Sequence, residues 1–423
     1  LVLRGRLSDG TVVERSYTLS DGSRDWDPYD IRQQIRVDAG DRQSLSVSLG
    51  SLPSTNGNAG DHLKFVRFDG RRTHFTPLRS FDASRGFFGL GRREARESIV
   101  DRRSAVWVAI KNHFFAAILT PATAVTETDC APIEIVGDRP TRGLGATATL
   151  PLTAVGNSKE AKFSYYVGPM EYVRLDRLDR ERVMEFGIFG FFGKLLLMAM
   201  LAIHRIIPNW GWAIILLTVA VKLLLWPLVV AQVRSSHKMA AIQKPLQEIQ
   251  RRYKSNPQKC QAETLKLFKE NGVNPASGCL PLLIQIPIFF GLYSMLRAAS
   301  ELRFARFFWI GDLSSADTVA RLGSFPINIL PLLMAATMFL QMRHTPMPSS
   351  NPSQRWLVNA MPLICLAFCY NLPAGLILYW TVQNSVGILQ QALIQRNGRS
   401  VREVTAKGTV GRGPGGRSAR RKH

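Results

Sequence analysis

The sequence predicts a multidomain membrane protein. A β-sandwich over residues 1–168 precedes an α-helical membrane core of five transmembrane helices that carries a helical hairpin. Three observations predict it. Mean hydropathy across the 423 residues is near zero, yet the first ~170 residues are polar with scattered apolar positions, and long apolar runs begin near Phe186. Short alternating segments fill the first part, the pattern of half-buried strands. A strongly basic insert separates two of the apolar runs, as cytoplasmic loops of membrane proteins do.

In the first part the alternating segments include TVVERSYTL, DIRQQIRVD, QSLSVSLGSL, HLKFVRFDG, SAVWVAIKNHFFAAIL, PIEIV, ATATLPL and AKFSYYVG. Turn residues separate them (SDGS, NGNAGD, GDRP), at spacings typical of a sandwich. His62, His74 and His113 stand alone and read as surface or packed histidines. Only Cys130 of the five cysteines lies here, so no disulfide forms within this domain. The chain begins with Leu1 and has no leader pattern at its front, so an export signal or an upstream membrane anchor is expected before it.

Residues 169–208 read as a charged connector followed by an amphipathic segment, EFGIFGFFGKLLLMAMLAIHRIIPNW. Lys194, His204 and Arg205 interrupt it and Pro208 ends it. It is read as a helix lying in the membrane interface, with an extra span as the competing reading. The membrane core, residues 209–395, contains five expected spans: Trp210–Val230, Cys279–Leu296, Phe325–Met342, Trp356–Leu372 and Ala374–Ile394. Between the first two lies the hairpin 231–278, helical on both sides of Ser255-Asn256-Pro257. From Arg234 to Glu270 it has nine Lys/Arg against three Asp/Glu, which makes it cytoplasmic. The loop after the second span is charge-balanced and falls outside. The Arg343–Arg355 loop has two Arg, one His and no acid, and falls inside. The tail 396–423 has nine Lys/Arg and one Glu; it reads as disordered and cytoplasmic. The same parity puts the β-domain outside the cytoplasm.

Lys222 lies at the centre of the first span, in WAIILLTVAVKLLLWPLVV. A charge there costs roughly 2.5–3.5 kcal/mol even on lenient scales, so its presence points to a polar or watery place within the membrane. No Asp or Glu occurs in any of the five spans. That removes the carboxylates on which proton- and cation-coupled carriers rely. There is no Walker motif, HExxH, GxSxG or TVGYG-like filter, and no cofactor or metal site is expected; the chain reads as a non-enzyme. Thr218 lies one turn before Lys222 on the same face. Gln285, Gln383 and Asn384 are further polar positions within spans. They read either as interhelical packing bonds or, with Lys222, as the lining of a hydrated cavity. Cys365 and Cys369 share a helix face without a histidine or acid nearby and read as packing.

From about Phe163 to Gln395 the sequence resembles the YidC/Oxa/Alb membrane protein insertase family. NWGWAIILLTVAVKLLLWPL, KMAAIQKPLQEIQRRYK, KENGVNPASGCLPLLIQIPIFFGLYSMLRAASELR, FFWIGDLS and NLPAGLILYWTVQNSVGILQQ carry the resemblance. The preceding β-domain is similar to the periplasmic domain of the Gram-negative branch. The resemblance implies an inner-membrane insertase and chaperone, working alone or with the Sec translocon, with nascent membrane proteins as clients and no covalent catalysis. It implies a hydrophilic groove with Lys222, where many bacterial members carry Arg, and with Thr218, Trp380 and Gln383. It further implies an apolar slide including Ile286, Phe290 and Leu366. The basic hairpin and tail suit a ribosome or anionic membrane lipids; for the hairpin a plain topology signal remains an equal reading. A transporter or scramblase with a cytoplasm-facing cavity is the alternative, disfavoured by the missing coupling carboxylates.

Overall fold

The computed structural model describes residues 1–8, 10–20, 27–38, 42–53, 63–83, 94–135, 141–185, 187, 189–272, 280–344 and 352–410. Most of the expected turns in the β-domain, His62, Cys279, part of the Arg343–Arg355 loop, the end of the hairpin and the tail beyond Val410 lie outside the described residues. The chain divides into two compact units. The first holds Leu1–Glu185 and Arg297–Glu301, the second Phe186–Leu296 and Leu302–His423.

The first unit is a two-sheet sandwich. Its strands in chain order are β1 (Val2–Arg6), β2 (Val12–Thr18), β3 (Asp30–Asp38), β4 (Ser44–Pro53), β5 (Lys64–Phe68), β6 (Thr73–Pro77) and β7 (Ile99–Asp101). There follow β8 (Trp107–Lys111), β9 (Phe115–Pro121), β10 (Glu127–Ile135), β11 (Thr141–Pro151), β12 (Thr153–Val155) and β13 (Ser158–Pro169). The larger sheet runs β1-β2-β3-β13-β9-β8-β5-β6, with β12 beside β13; the smaller runs β4-β11-β10-β7. All their pairings are antiparallel. Alternation along the strands sends Ile35 and Val37, Val47 and Leu49, Val108 and Ile110, and Leu144, Ala146 and Ala148 into one shared core. Cys130 is buried in it as a free thiol, pushed up to about 12 by burial.

β8 is buried along its whole length. One face of a strand of this sheet meets the sandwich core, so the other needs its own cover. Residues 169–185 belong to this unit and contribute to that cover. Lys111 donates to the Val183 carbonyl at 3.1 Å, and Arg180 pairs with Asp30 at 2.9 Å, both partners buried. The segment read as a charged connector thus groups with the β unit up to Glu185. It contains α1 (Tyr172–Arg177), and the Tyr172 N–H donates to a carboxylate oxygen of Glu301 at 3.2 Å.

The second unit is helical: α2 (Gly190–Ile206), α3 (Trp210–Leu224), α4 (Trp226–Ala241), α5 (Gln243–Arg252), α6 (Pro257–Glu270) and α7 (Leu280–Ala298) come first. A short hairpin, β14 (Thr318–Leu322) with β15 (Phe325–Asn328), then leads into α8 (Ile329–His344), α9 (Pro352–Cys369) and α10 (Ala374–Val410). Asn209 caps α3, accepting from the Trp212 N–H at 3.2 Å. Asn256 caps α6 in the same way, with Pro257 in its first turn. α5 and α6 pack together as the helical hairpin read from the sequence.

Three expectations change. The first expected span breaks at Leu225, because Pro227 has no N–H to give the Leu223 carbonyl. The third expected span starts as β15 and turns helical only at Ile329. α10 continues to Val410, past the Arg396 at which the sequence placed the start of a disordered tail; no proline follows until Pro414. Among the described residues no helix is long and apolar enough to cross a membrane. The 15 residues of α3 reach only about 22 Å.

The N-termini of α3, α8 and α10 gather at one end of the helical unit. The loop 302–317 ties them together. Phe307 and Phe308 pack edge-on against Trp212. The Leu313 and Ser315 carbonyls accept from Gly375 and Ala374 at 2.8 and 2.7 Å, satisfying first-turn N–H groups of α10. Asp317 accepts from the Leu330 N–H of α8 at 2.6 Å. Tyr370, just after α9, meets Asn328 at the same end.

Candidate functional site

The candidate residues lie on α3, α7, α9 and α10. On α3, Thr218 is buried and its hydroxyl donates to the Ile214 carbonyl at 2.7 Å, so its proton is committed to its own helix. Lys222 follows one turn later, half-buried. Its ammonium forms no ion pair among the described residues. α3 packs along α10. There the Gln390 side chain donates to the Lys222 carbonyl at 3.2 Å, beside the turn that Pro227 breaks.

Gln390 is a residue the sequence reading missed. It is 1% exposed, and its Oε1 has no hydrogen-bond partner among the described residues. The available signal was its spacing: Trp380, Gln383, Gly387 and Gln390 recur at intervals of three and four residues along one face of α10. Trp380 is half-buried and lies edge-on to Phe289 of α7, ring centroids 5.2 Å apart. Phe289 in turn meets Phe290 at 5.5 Å. The α10 face therefore reaches α7 at Trp380 and α3 at Gln390, with Gln383, half-buried, between them. At Gly387 a Cβ would come within 2.7 Å of the Gln341 amide nitrogen on α8, so a larger residue there would push the Gln341 side chain aside.

Asn384 resolves toward packing: its amide reaches Thr337 Oγ1 and the Met334 carbonyl of α8, at 3.4 and 3.5 Å. Of the slide residues, Ile286 is half-buried and Phe290 exposed, both on α7 one turn apart. Leu366 is half-buried on α9, which packs against α8. Among the described residues no polar or ring contact joins Leu366 to the α7 pair.

The surface of the unit is apolar in a way water does not favour. Leu223 and Leu224 on α3, Leu332 and Leu340 on α8, and Leu363 and Phe368 on α9 are all exposed. α2 buries Gly193, Leu196, Leu197 and Met200 on one face and exposes Phe191, Leu195 and Met198 on another. Apolar outer faces around helices that share polar seams, with Lys222 half-buried among them, are suited to a membrane rather than to water.

Comparison with known proteins narrows this class. A family profile described as "YidC periplasmic domain" matches residues 1–199, and one described as "60Kd inner membrane protein" matches residues 202–401. The protein named "Membrane protein insertase YidC" from Mannheimia succiniciproducens is 33% identical over 92% of this chain and 68% of its own length. Its namesake from Actinobacillus succinogenes is 34% identical over 92% and 69%. That from Endomicrobium trichonymphae is 38% identical over 57% of this chain and 47% of its own. The chain belongs to the YidC membrane protein insertase family. It spans about half the length of several of the curated relatives it matches. A solved "Active YidC insertase" superposes at a TM-score of 0.41 and 20% identity, over 93% of this chain and 82% of that one.

Proposed function

We propose that the chain is an inner-membrane insertase and chaperone for newly made membrane proteins. The observation that carries this reading is Lys222: a half-buried cation with no acidic partner among the described residues, in a run without acids, beside the buried amide of Gln390. The family membership supports it. In this reading α3, α7, α8, α9 and α10 lie in the bilayer, and the exposed leucines and phenylalanines of the unit face lipid. The gathered N-termini of α3, α8 and α10 agree with the expected parity, in which those three helices run from the outside inward. The α5–α6 hairpin and the C-terminal tail are then cytoplasmic, and the β-sandwich is periplasmic.

The mechanism needs no covalent step. An incoming segment must carry a polar tail across hydrocarbon, where each unsatisfied backbone group costs several kcal/mol. A wet groove lined by Lys222, Gln383 and Trp380, with Thr218 buried one turn before Lys222, lowers that barrier, and Lys222 attracts an acidic or carbonyl-rich tail. The apolar part of the segment then leaves past Ile286, Phe290 and Leu366 into lipid, driven by hydrocarbon burial. Docking to the Sec translocon and, through the basic hairpin and tail, to the ribosome belongs to the same reading.

Reconstitution into liposomes with a short single-span substrate tests it. Lys222→Glu is expected to lower insertion of an acidic-tailed substrate roughly tenfold, the effect of ~1.4 kcal/mol, while Lys222→Arg retains insertion. Equal insertion by Lys222→Glu and the parent chain would end the electrostatic role.

A further inference from the structure

The loop that ties the helix N-termini together carries a feature the insertion mechanism does not use. Phe307 and Ile310 bond each other in both directions, N–H to carbonyl, at 2.9 and 2.8 Å. Phe308 and Trp309 thus form the tip of a two-residue turn. Phe308 has φ of +49°, a backbone state such turns normally give to glycine. Phe304, four residues earlier, has φ of +59°. Positive φ in a bulky residue is a true outlier and costs of order 1–3 kcal/mol. Strain of this kind persists where it is of use, and here it holds aromatic rings outward. Phe304 is 71% exposed, Phe308 75% and Trp309 48%. Phe308 lies between Trp309, stacked at 6.3 Å, and Trp212 at the head of α3, also at 6.3 Å. Beneath them Phe307 is buried and rests on Gly211.

We infer that this aromatic knuckle is an interfacial anchor, seated at the headgroup–acyl boundary of the outer leaflet. Three features select a phospholipid surface as the occupant. Tryptophan concentrates at that boundary, and the patch carries Trp309 and Trp212, with the Trp309 indole N–H donating to Asp317 at 3.3 Å and the exposed Phe304 and Phe308 adding apolar area beside them. Arg306 is exposed beside the tip without an ion pair among the described residues, and Arg303 lies over the Phe304 ring at 4.9 Å; both are suited to lipid phosphate. The patch is also continuous with Trp212, the first turn of a helix assigned above to the bilayer. The inference rests on that membrane reading. The anchor would hold the N-termini of α3, α8 and α10 at a fixed depth, because the same loop packs on α3 and hydrogen-bonds α8 and α10.

The test uses the full chain in phosphatidylcholine vesicles, with its native cysteines changed to alanine. An environment-sensitive fluorophore is attached at Phe308→Cys, at Phe304→Cys as a second reporter of the loop, and at Phe368→Cys on the apolar face of α9. Lipids brominated near the headgroup or near the chain end report depth, and aqueous iodide reports water. The loop labels are expected to lose most of their emission to the shallow bromines and little to iodide, and the Phe368 label to be quenched by the deep bromines. Loop labels quenched by iodide, or shielded from both quenchers by protein, with Phe368 still quenched by lipid, overturn the anchor and leave the membrane reading standing. Phe368 unquenched by lipid overturns both.

Discussion

At the residue scale the charged groups that matter divide by their company. Asp101 at the end of β7 accepts from the Arg103 guanidinium at 2.7 and 2.9 Å and faces the buried Arg67 at 3.2 Å. The Arg103 hydrogen bond holds its carboxyl down at about 2. A carboxylate with a depressed value stabilises the fold above its ordinary 3.8, and the contribution disappears as pH falls through about 2. Asp101→Asn is therefore expected to destabilise the β unit at neutral pH by about 1–3 kcal/mol, because Arg67 loses its charged partner and keeps only the Ser104 carbonyl, at 3.2 Å. Thermal scans at stepped pH should show the gap to the parent chain closing between pH 4 and 2; a gap independent of pH would assign the loss to packing. Lys222 was legible from sequence because a charge within an apolar run needs no geometry to be noticed. Gln390 was not, because its burial and its bond to the Lys222 carbonyl depend on how α10 lies along α3.

At the element scale, strands such as β3 and β11 were readable because one face is buried and one is wet, so composition alternates with the pleat. The α5–α6 hairpin was readable from Asn-Pro at a helix start. The break at Leu225 was hidden, since apolar content continues on both sides of Pro227 while the hydrogen-bond ladder does not. β15 was hidden likewise, its Phe and Ile suiting a strand or a span equally. α3 offers two checks. Asn209→Ala removes the acceptor for the Trp212 N–H and is expected to cost about 1 kcal/mol. Gly211→Ala sets a Cβ 2.1 Å from the Phe307 ring, which must move; overpacking of this kind costs typically 1–3 kcal/mol. Denaturant unfolding of the helical unit should rank Gly211→Ala as the more harmful, and the reverse order would mean that the Phe307 loop yields freely.

At the scale of the whole molecule, the division into a β-sandwich and a helical unit was visible from hydropathy alone. The extent of the first unit was not, because residues 169–185 are charged in sequence yet bury Met170, Leu175 and Val183. Deleting residues 1–168 is expected to leave liposome insertion largely intact, measured with the single-span substrate; loss of insertion by a stably folded remainder would move the working part into the sandwich. The choice of cut matters because of Arg297–Glu301, five residues downstream of α7's core that group with the first unit. Removal up to residue 168 keeps α1 together with its Glu301 acceptor. Removal up to Glu185 takes α1 away and strands the half-buried Glu301 carboxyl, whose other oxygen has no hydrogen-bond partner among the described residues. The first unit, counted to Glu185, is thus not one continuous segment of gene. A recombination that exchanges the whole of it, rather than residues 1–168 alone, must also match a five-residue foothold more than a hundred codons further on.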